Sequence, residues 1–264
     1  MIRVGIGGWT FAPWRGPFYP PGLPHAQELA YAAGQVTAIE INGTFYRTQS
    51  PDSFAKWAAE TPDGFVFTVK GHRSVTNRKS LAEAGESIAF FLDSGVAALG
   101  PKLGPILWQL APLKRFAAAD LEAFLRLLPP ERHGIRLRHA LEVRHPSFLD
   151  PAFAELAHRY AIPVVYADHE SYAALADPSG DFVYARLQRA KDSEPAGYAG
   201  QALDAWADRA RIWERGGVPA DLPRVGTGAV PPPGEEAARD VFVFFIAGDK
   251  VRNPAAATAL ISRL

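Results

Sequence analysis

The sequence contains no cysteine and a single methionine. Without a thiol there can be no disulfide scaffold, no thiolate zinc or iron–sulfur centre and no cysteine nucleophile. An excess of one charge is also lacking. The 28 Lys and Arg balance 28 Asp and Glu, giving a formal net charge of +0 and a pI of about 7.1. Proteins that grip duplex nucleic acid non-specifically are usually more basic, so the balance weighs against that class while leaving room for local basic loops. No apolar run is long enough to span a bilayer, since the longest, Val241 to Gly248, is far too short. Met1 to Val4 leads straight into a strand pattern, with no basic-then-apolar leader. The expectation is a cytoplasmic, enzyme-like protein with no membrane partner. Several local motifs are missing as well. No G-x-G-x-x-G follows a strand, nothing resembles a P-loop, and there is neither a G-x-S-x-G elbow nor an H-E-x-x-H zinc helix.

What is present is a rhythm. The chain has 264 residues, 48% of them hydrophobic, close to the usual size of one closed α/β barrel. Eight β-like runs are readable: Arg3–Gly7, Thr37–Asn42, Val66–Lys70, Gly104–Leu110, His139–Arg144, Pro163–Asp168, Phe182–Leu187 and Val241–Ala247. Helical patterns lie between most of them, at Ala26–Gly34, Ser53–Glu60, Ser80–Leu92, Ala118–Leu128, Pro151–Arg159 and Leu203–Arg215, and Ala255–Leu264 closes the chain. Pro51-Asp52, Asp150-Pro151 and Asn253-Pro254 are start signals. Strand–helix alternation implies a parallel sheet, and eight repeats is the count at which it closes into a (β/α)8 TIM-type barrel. An open doubly wound sheet is the competing architecture. The Pro/Gly-rich stretch at 216–238 breaks the rhythm and reads as an excursion from a single domain spanning 1–264.

Side chains alternate along a strand, so residues two apart share a face. Ile39 and Ile41 oppose Glu40 and Asn42; Phe67 and Val69 oppose Thr68 and Lys70. Leu141 and Val143 oppose Glu142 and Arg144; Val183 and Ala185 oppose Tyr184 and Arg186. The apolar set suits the face under the helices, so the polar set is expected inside. Glu40, Asn42, Lys70, Gln109, Glu142, Arg144, Asp168, Arg186 and Asp249 also gather at the C-terminal strand ends, where barrel enzymes keep their active sites. Two basic loops leave the same end, Lys70-Gly71-His72-Arg73 and Arg186-Leu187-Gln188-Arg189-Ala190-Lys191. Arginine forks there suit phosphate or carboxylate. Opposed charges that merely satisfy one another in a polar plug are the plain alternative.

Three further signals point to the mouth. The first loop is aromatic, with Trp9, Phe11, Trp14, Phe18 and Tyr19, and Tyr46 follows the second strand. Such rings stack on a sugar or base, or else pack as core. His72 and His145 follow the third and fifth strands. A divalent metal could be assembled from Glu142, Asp168 and Asp249 with a histidine, although Arg144 shares the face of Glu142.

The order of motifs resembles the YecE-like family, domain of unknown function 72. It is carried by Gly5-Ile6-Gly7-Gly8-Trp9 with Trp14 and Phe18-Tyr19-Pro20, by Ala38-Ile39-Glu40-Ile41-Asn42 with Thr44-Phe45-Tyr46-Arg47, and by Trp57 before Thr61-Pro62. Phe65-Val66-Phe67 with Lys70, Leu103-Gly104-Pro105 with Gln109-Leu110, Glu142-Val143-Arg144-His145-Pro146-Ser147, Asp168 and the Tyr184–Arg186 strand continue it. The resemblance implies the closed barrel and no established activity. There are three departures from its pattern. Gln188 stands where the family's Arg-x-His-Gly has histidine, Ala111 interrupts Gln-x-Pro-Pro, and only Asp249 remains of an Asn/Asp pair after the last strand.

The leading expectation is an enzyme acting on an anionic, phosphate-bearing or sugar-like small molecule. Glu142 with Glu40 or Asp168 would move protons, possible metal assistance is left open, and Lys70, Arg144 and Arg186 would hold the anion. The other expectation is a non-catalytic binder of single-stranded nucleic acid or a phosphorylated metabolite.

Overall fold

In the computed structural model, which describes residues 1–226, 237–247 and 250–264, eight strands form one sheet. They are β1 (Ile2–Gly7), β2 (Ala38–Ile41), β3 (Val66–Lys70), β4 (Leu103–Gln109), β5 (His139–Glu142), β6 (Tyr166–Asp168), β7 (Phe182–Leu187) and β8 (Asp240–Phe245). Their order is β5-β4-β3-β2-β1-β8-β7-β6, and every pairing is parallel. The two ends meet. Leu141 N donates to Pro163 O and Val165 N to Leu141 O, both at 2.9 Å, forming a parallel bridge between Leu141 and Val164. The sheet is therefore a closed (β/α)8 barrel.

The helices wrap the outside: α1 (Glu28–Gln35), α2 (Pro51–Ala59), α3 (Arg73–Thr76), α4 (Gly85–Asp93), α5 (Ala118–Leu127), α6 (Pro151–Arg159), α7 (Gly200–Glu214) and α8 (Asn253–Ile261). Two of the three expected start signals carry side-chain caps, whereas Asn253 instead accepts from Ala247 N at 3.3 Å. Ser50 accepts from Ser53 N at 3.2 Å ahead of Pro51, and Asp150 accepts from Ala152 N at 2.9 Å ahead of Pro151. The helix expected over Ser80–Leu92 divides into a 3-10 turn, Leu81–Glu83, and α4. Two elements escape the sequence reading because each is too short to show a period: α3, and a hairpin pairing Glu131–Arg132 with Ile135–Arg136. The hairpin turns through His133 and Gly134, both at positive φ, as a tight two-residue turn requires. The excursion at 216–238 falls partly outside the described residues.

Burial separates two apolar shells, one inside the ring and one outside. Ile39, Ile41, Phe67, Val69, Trp108, Leu141 and Val143 belong to the layer between sheet and helices. Ala38, Val66, Leu107, Ala140, Val165, Tyr184, Phe242 and Phe244 fill the lumen. Gly5 is forced by this filling, since a Cβ there would collide with the Ala38 carbonyl and the Phe244 ring. Towards the N-terminal end, Arg138 lies on Phe182 and Phe242, 4.5 and 5.7 Å from their centroids, and pairs with Asp240 at 2.7 Å. The lumen is thus apolar through its lower half. The Arg138–Asp240 pair closes the N-terminal end, and the larger polar cluster lies at the C-terminal end of the strands.

Candidate functional site

Above the apolar filling, the inward faces of β2, β3, β4, β5 and β7 bring Glu40, Thr68, Lys70, Gln109, Glu142, Tyr184 and Arg186 together, all buried. Arg186 is the hub. Its Nε and Nη2 donate to Glu40 Oε2 and Oε1 at 3.1 and 3.0 Å, a two-point grip, while Nη1 donates to Glu142 Oε2 at 2.6 Å. Gln109 Nε2 donates to the same Glu142 oxygen at 2.7 Å, and Arg144 Nε to Glu142 Oε1 at 2.8 Å. Tyr184 OH donates to Glu40 Oε2 at 2.6 Å and meets Thr68 Oγ1 at 2.8 Å across the barrel. All four carboxylate oxygens therefore have donors.

Electrostatics follow from this geometry. Burial alone would raise the Glu142 carboxyl, but the charges of Arg186 and Arg144, with hydrogen bonds from Gln109 and Arg144, outweigh it and hold it at about 2. Burial raises Tyr184 well above its ordinary value, and the neighbouring Glu40 charge adds to this. For Arg186, burial opposes the charged form, yet Glu142 and Glu40 more than offset it and raise the guanidinium. These groups keep one charge state across the physiological range.

Lys70 stands apart. It is 8% exposed, and among the described residues no acceptor lies within hydrogen-bonding distance of its Nζ. Instead Nζ sits 4.2 Å over the Phe45 ring. Burial first, then the Arg186 charge, pull the ammonium down to about 8, against the opposing effect of Glu40 and Glu142. Its backbone is fixed: Thr44 Oγ1 donates to Lys70 O at 2.7 Å, and the Trp108 ring occupies the space that a side chain at Gly71 would need.

The other expected residues divide. Arg144 joins the site, 15% exposed as a side chain, its guanidinium 4.4 Å over the Tyr172 ring. Asn42, half-buried after β2, donates weakly to Glu40 O at 3.4 Å. Tyr46 is exposed on the rim, with the Arg73 guanidinium 6.0 Å from its ring. His72 and His145 are capping residues. His72 Nδ1 accepts from Ser74 N at 3.2 Å, and His145 Nδ1 from Ser147 N at 3.0 Å. His169 repeats the device with Ser171 N at 3.0 Å. Three His-x-Ser turns thus follow β3, β5 and β6, a repeat visible in the sequence once the spacing is sought. Asp249 lies outside the described residues.

Two expected residues point elsewhere. Asp168 does not face the mouth. Val165 fills the lumen, so Tyr166 and Asp168 alternate outwards; Tyr166 packs on Trp206 and Trp213. Asp168 pairs with Arg189 at 3.1 Å in a separate cavity of about 450 Å³ with Tyr198, Trp206 and Arg209. Burial raises its carboxyl, with Arg189 and Arg209 opposing. Trp9 likewise leaves the lumen, meeting Trp57 edge-on at 5.0 Å and Phe67 at 6.2 Å in the outer layer. Phe11, Trp14, Phe18 and Tyr19 pack among themselves and on Tyr31. They are core rather than a stacking platform.

One residue was missed. Gln188 N still donates to Asp168 O at 3.1 Å, so the β7 ladder and its alternation persist past the strand's end. Gln188 then shares the inward face of Tyr184 and Arg186. Its Nε2 is buried with no partner among the described residues. The signal was the i, i+2 spacing from Arg186.

The metal set that the sequence leaves open is not assembled among the described residues. Glu142 has both oxygens occupied by cationic and amide donors, and Asp168 faces the other side of the sheet. A metal-bound histidine donates its second N–H to an acceptor, whereas these three histidines accept from backbone N–H at Nδ1. Among the described residues no group of three or more His, Asp or Glu is placed to hold an ion.

A closed parallel barrel with an arginine–carboxylate lattice at its C-terminal mouth defines the class of protein. The chain belongs to the family described as protein of unknown function DUF72, whose model matches residues 3–264. It is 28% identical over 160 residues to the UPF0759 protein YunF of Bacillus subtilis (strain 168), covering 59% of this chain and 55% of that one. It is 27% identical over 151 residues to the UPF0759 protein YecE of Escherichia coli (strain K12), covering 56% and 50%. The match thus spans about half the length of these relatives. A DUF72 family protein from Thermotoga maritima MSB8 superposes with a TM-score of 0.71 at 22% identity over 99% of this chain and 97% of the other. SacUVDE shares the fold at a TM-score of 0.53 and 9% identity, covering 99% and 97%. Among the described residues, no helix is long and apolar enough to cross a membrane.

Proposed function

We propose that this protein is an enzyme acting on an anionic small molecule at the C-terminal mouth of the barrel. The Arg186–Glu40–Glu142 lattice is its fixed frame, Arg144 meets the anion, and Lys70 is the group that changes protonation state. The observation that supports the reading is the buried Lys70 side chain, whose amine has no acceptor among the described residues while Glu40 and Glu142 are compensated by Arg186 and Arg144. Three cations (Lys70, Arg144, Arg186) against two carboxylates (Glu40, Glu142) leave an excess of one positive charge when Lys70 is protonated. An anionic ligand supplies the missing charge.

The proton-moving role passes from the carboxylates to lysine for a physical reason. A carboxylate held at about 2 is too weak a base near neutrality, whereas an amine near 8 exchanges protons there. In the aromatic first loop, on which the single-stranded nucleic-acid reading leans, Trp14 and Tyr19 are buried and Trp9, Phe11 and Phe18 are partly buried against the outer core.

The test is a melting-shift series with phosphate, sulfate, sugar phosphates and 2-oxo acids, beside a single-stranded oligonucleotide. Small anions are expected to stabilise the protein, and Arg144→Met and Lys70→Met to abolish the shift. Stabilisation by the oligonucleotide alone would replace this reading with the binding protein; no shift with any ligand would end both.

A further inference from the structure

Building on the anion-site reading, we infer that Lys70 is an amine nucleophile that condenses with the carbonyl group of a small anionic aldehyde or ketone, with Gln188 Nε2 donating to the carbonyl oxygen. Two nitrogens at the C-terminal end of the lumen lack acceptors among the described residues: Nζ of the buried Lys70 side chain, and the buried Nε2 of Gln188, just past the end of the strand opposite. A buried donor without a partner costs stability, and a ligand oxygen facing Gln188 Nε2 removes that cost.

The chain's seven lysines set Lys70 in context. Lys56, Lys79, Lys191 and Lys250 are exposed. Lys102 donates to Ala58 O and Thr61 O at 2.6 Å each, and Lys114 to Asp120 at 2.9 Å. Only Lys70 is buried. Two carboxylates share its lumen, but Arg186 and Arg144 already balance them, so no carboxylate is left over to pair with Lys70 as an ammonium. A desolvated amine beside a second cation is the environment that makes lysine nucleophilic. Burial and the Arg186 charge favour the neutral amine accordingly.

The chemistry balances without oxidant or reductant. The neutral Lys70 nitrogen adds to the carbonyl carbon, forming C–N and breaking the C=O π bond. The oxygen takes one proton from the nitrogen to give the carbinolamine. Loss of that hydroxyl with the second amine hydrogen releases water and leaves a C=N bond to Nζ. Arg144, with Nη2 unused by any protein acceptor among the described residues, is placed for the anionic group of the same molecule.

The experiment is reductive trapping of the full-length protein near pH 8. Pyruvate, glyceraldehyde 3-phosphate and neutral glyceraldehyde are added separately with cyanoborohydride, and adducts are located by peptide mass spectrometry. Lys70 is expected to carry the adduct at roughly ten times the yield of any other lysine, for anionic carbonyls over the neutral one. The favoured arm distinguishes a carboxylate from a phosphate source. Gln188→Leu is expected to slow trapping, and Lys70→Arg to abolish it. Mapping on the unmodified protein carries the result even if a variant fails to fold. Adducts spread evenly over the lysines, or equal trapping of neutral glyceraldehyde, would overturn the inference. Melting stabilisation by phosphate without a Lys70 adduct would overturn it while leaving the anion site standing; neither effect would overturn both.

Discussion

Arg186 on β7 and Glu142 on β5 meet inside the barrel at 2.6 Å, with side chains 3% and 0% exposed. A buried ion pair of this kind holds only while both partners and their other donors stay in place. Removing one partner leaves the other charge uncompensated, which costs about 3–5 kcal/mol. Arg186→Met strands both Glu40 and Glu142, so urea unfolding at neutral pH is expected to show a loss at the upper end of that range. Replacement of an exposed pair such as Arg136–Asp181 should cost under about 1 kcal/mol.

Acid sensitivity follows from the same pair. The Glu142 carboxyl lies at about 2 in the folded protein against an ordinary 4.5. The unfolded chain therefore binds the extra proton first as pH falls. Its stabilisation is full above about 4.5 and disappears as pH drops towards 2. Unfolding free energies measured across that window should fall less steeply in Glu142→Gln than in the unmodified protein.

Lys70 works in the opposite window. Its folded value of about 8 lies below the ordinary 10.5, so between those values the unfolded chain holds more protons and stability rises with pH. At neutral pH the buried ammonium is a cost of up to about 3 kcal/mol. Lys70→Met is expected to be more stable than the unmodified protein at pH 7 and to lose the rise above pH 8. Equal stability and slope in the two proteins would contradict a buried, uncompensated amine.

Asp168 supplies a control. It opens into the outer cavity rather than the lumen, so Asp168→Asn should leave anion-induced melting shifts unchanged. Loss of those shifts would place Asp168 in the site after all.

The capping histidines predict a stability effect without a functional one. His145→Leu removes the acceptor for Ser147 N and should cost about 1 kcal/mol, while His145→Asn retains an acceptor and should cost less. Melting temperatures compare the two directly.

Much of the barrel was legible because its strands alternate cleanly. Val66–Lys70 and Phe182–Leu187 are both found with the expected ends, and the inward placement of Glu40, Lys70, Glu142, Arg144 and Arg186 follows from spacing alone. Legibility failed where spacing carries no polarity. Pro163 to Ala167 is apolar on both faces, so nothing in it reveals that Val165 points in and Asp168 out. Trp9 and its aromatic neighbours satisfy core and stacking patterns equally, and only packing separates them. The engagement of Glu142 by Arg186, 44 residues away, is a tertiary event that no local spacing announces. Gln188 was hidden because strand alternation continues beyond the last residue with a strand-like composition.

On the proposed reading, one cation at the mouth, Lys70, awaits an anion. Carbon-13 labelling of the seven lysines, followed by a pH titration with and without phosphate, tests it most directly. One ε-carbon signal, missing in Lys70→Met, is expected to titrate near 8 and to move upward when phosphate binds. Seven signals all titrating near 10.5 and indifferent to phosphate would contradict it.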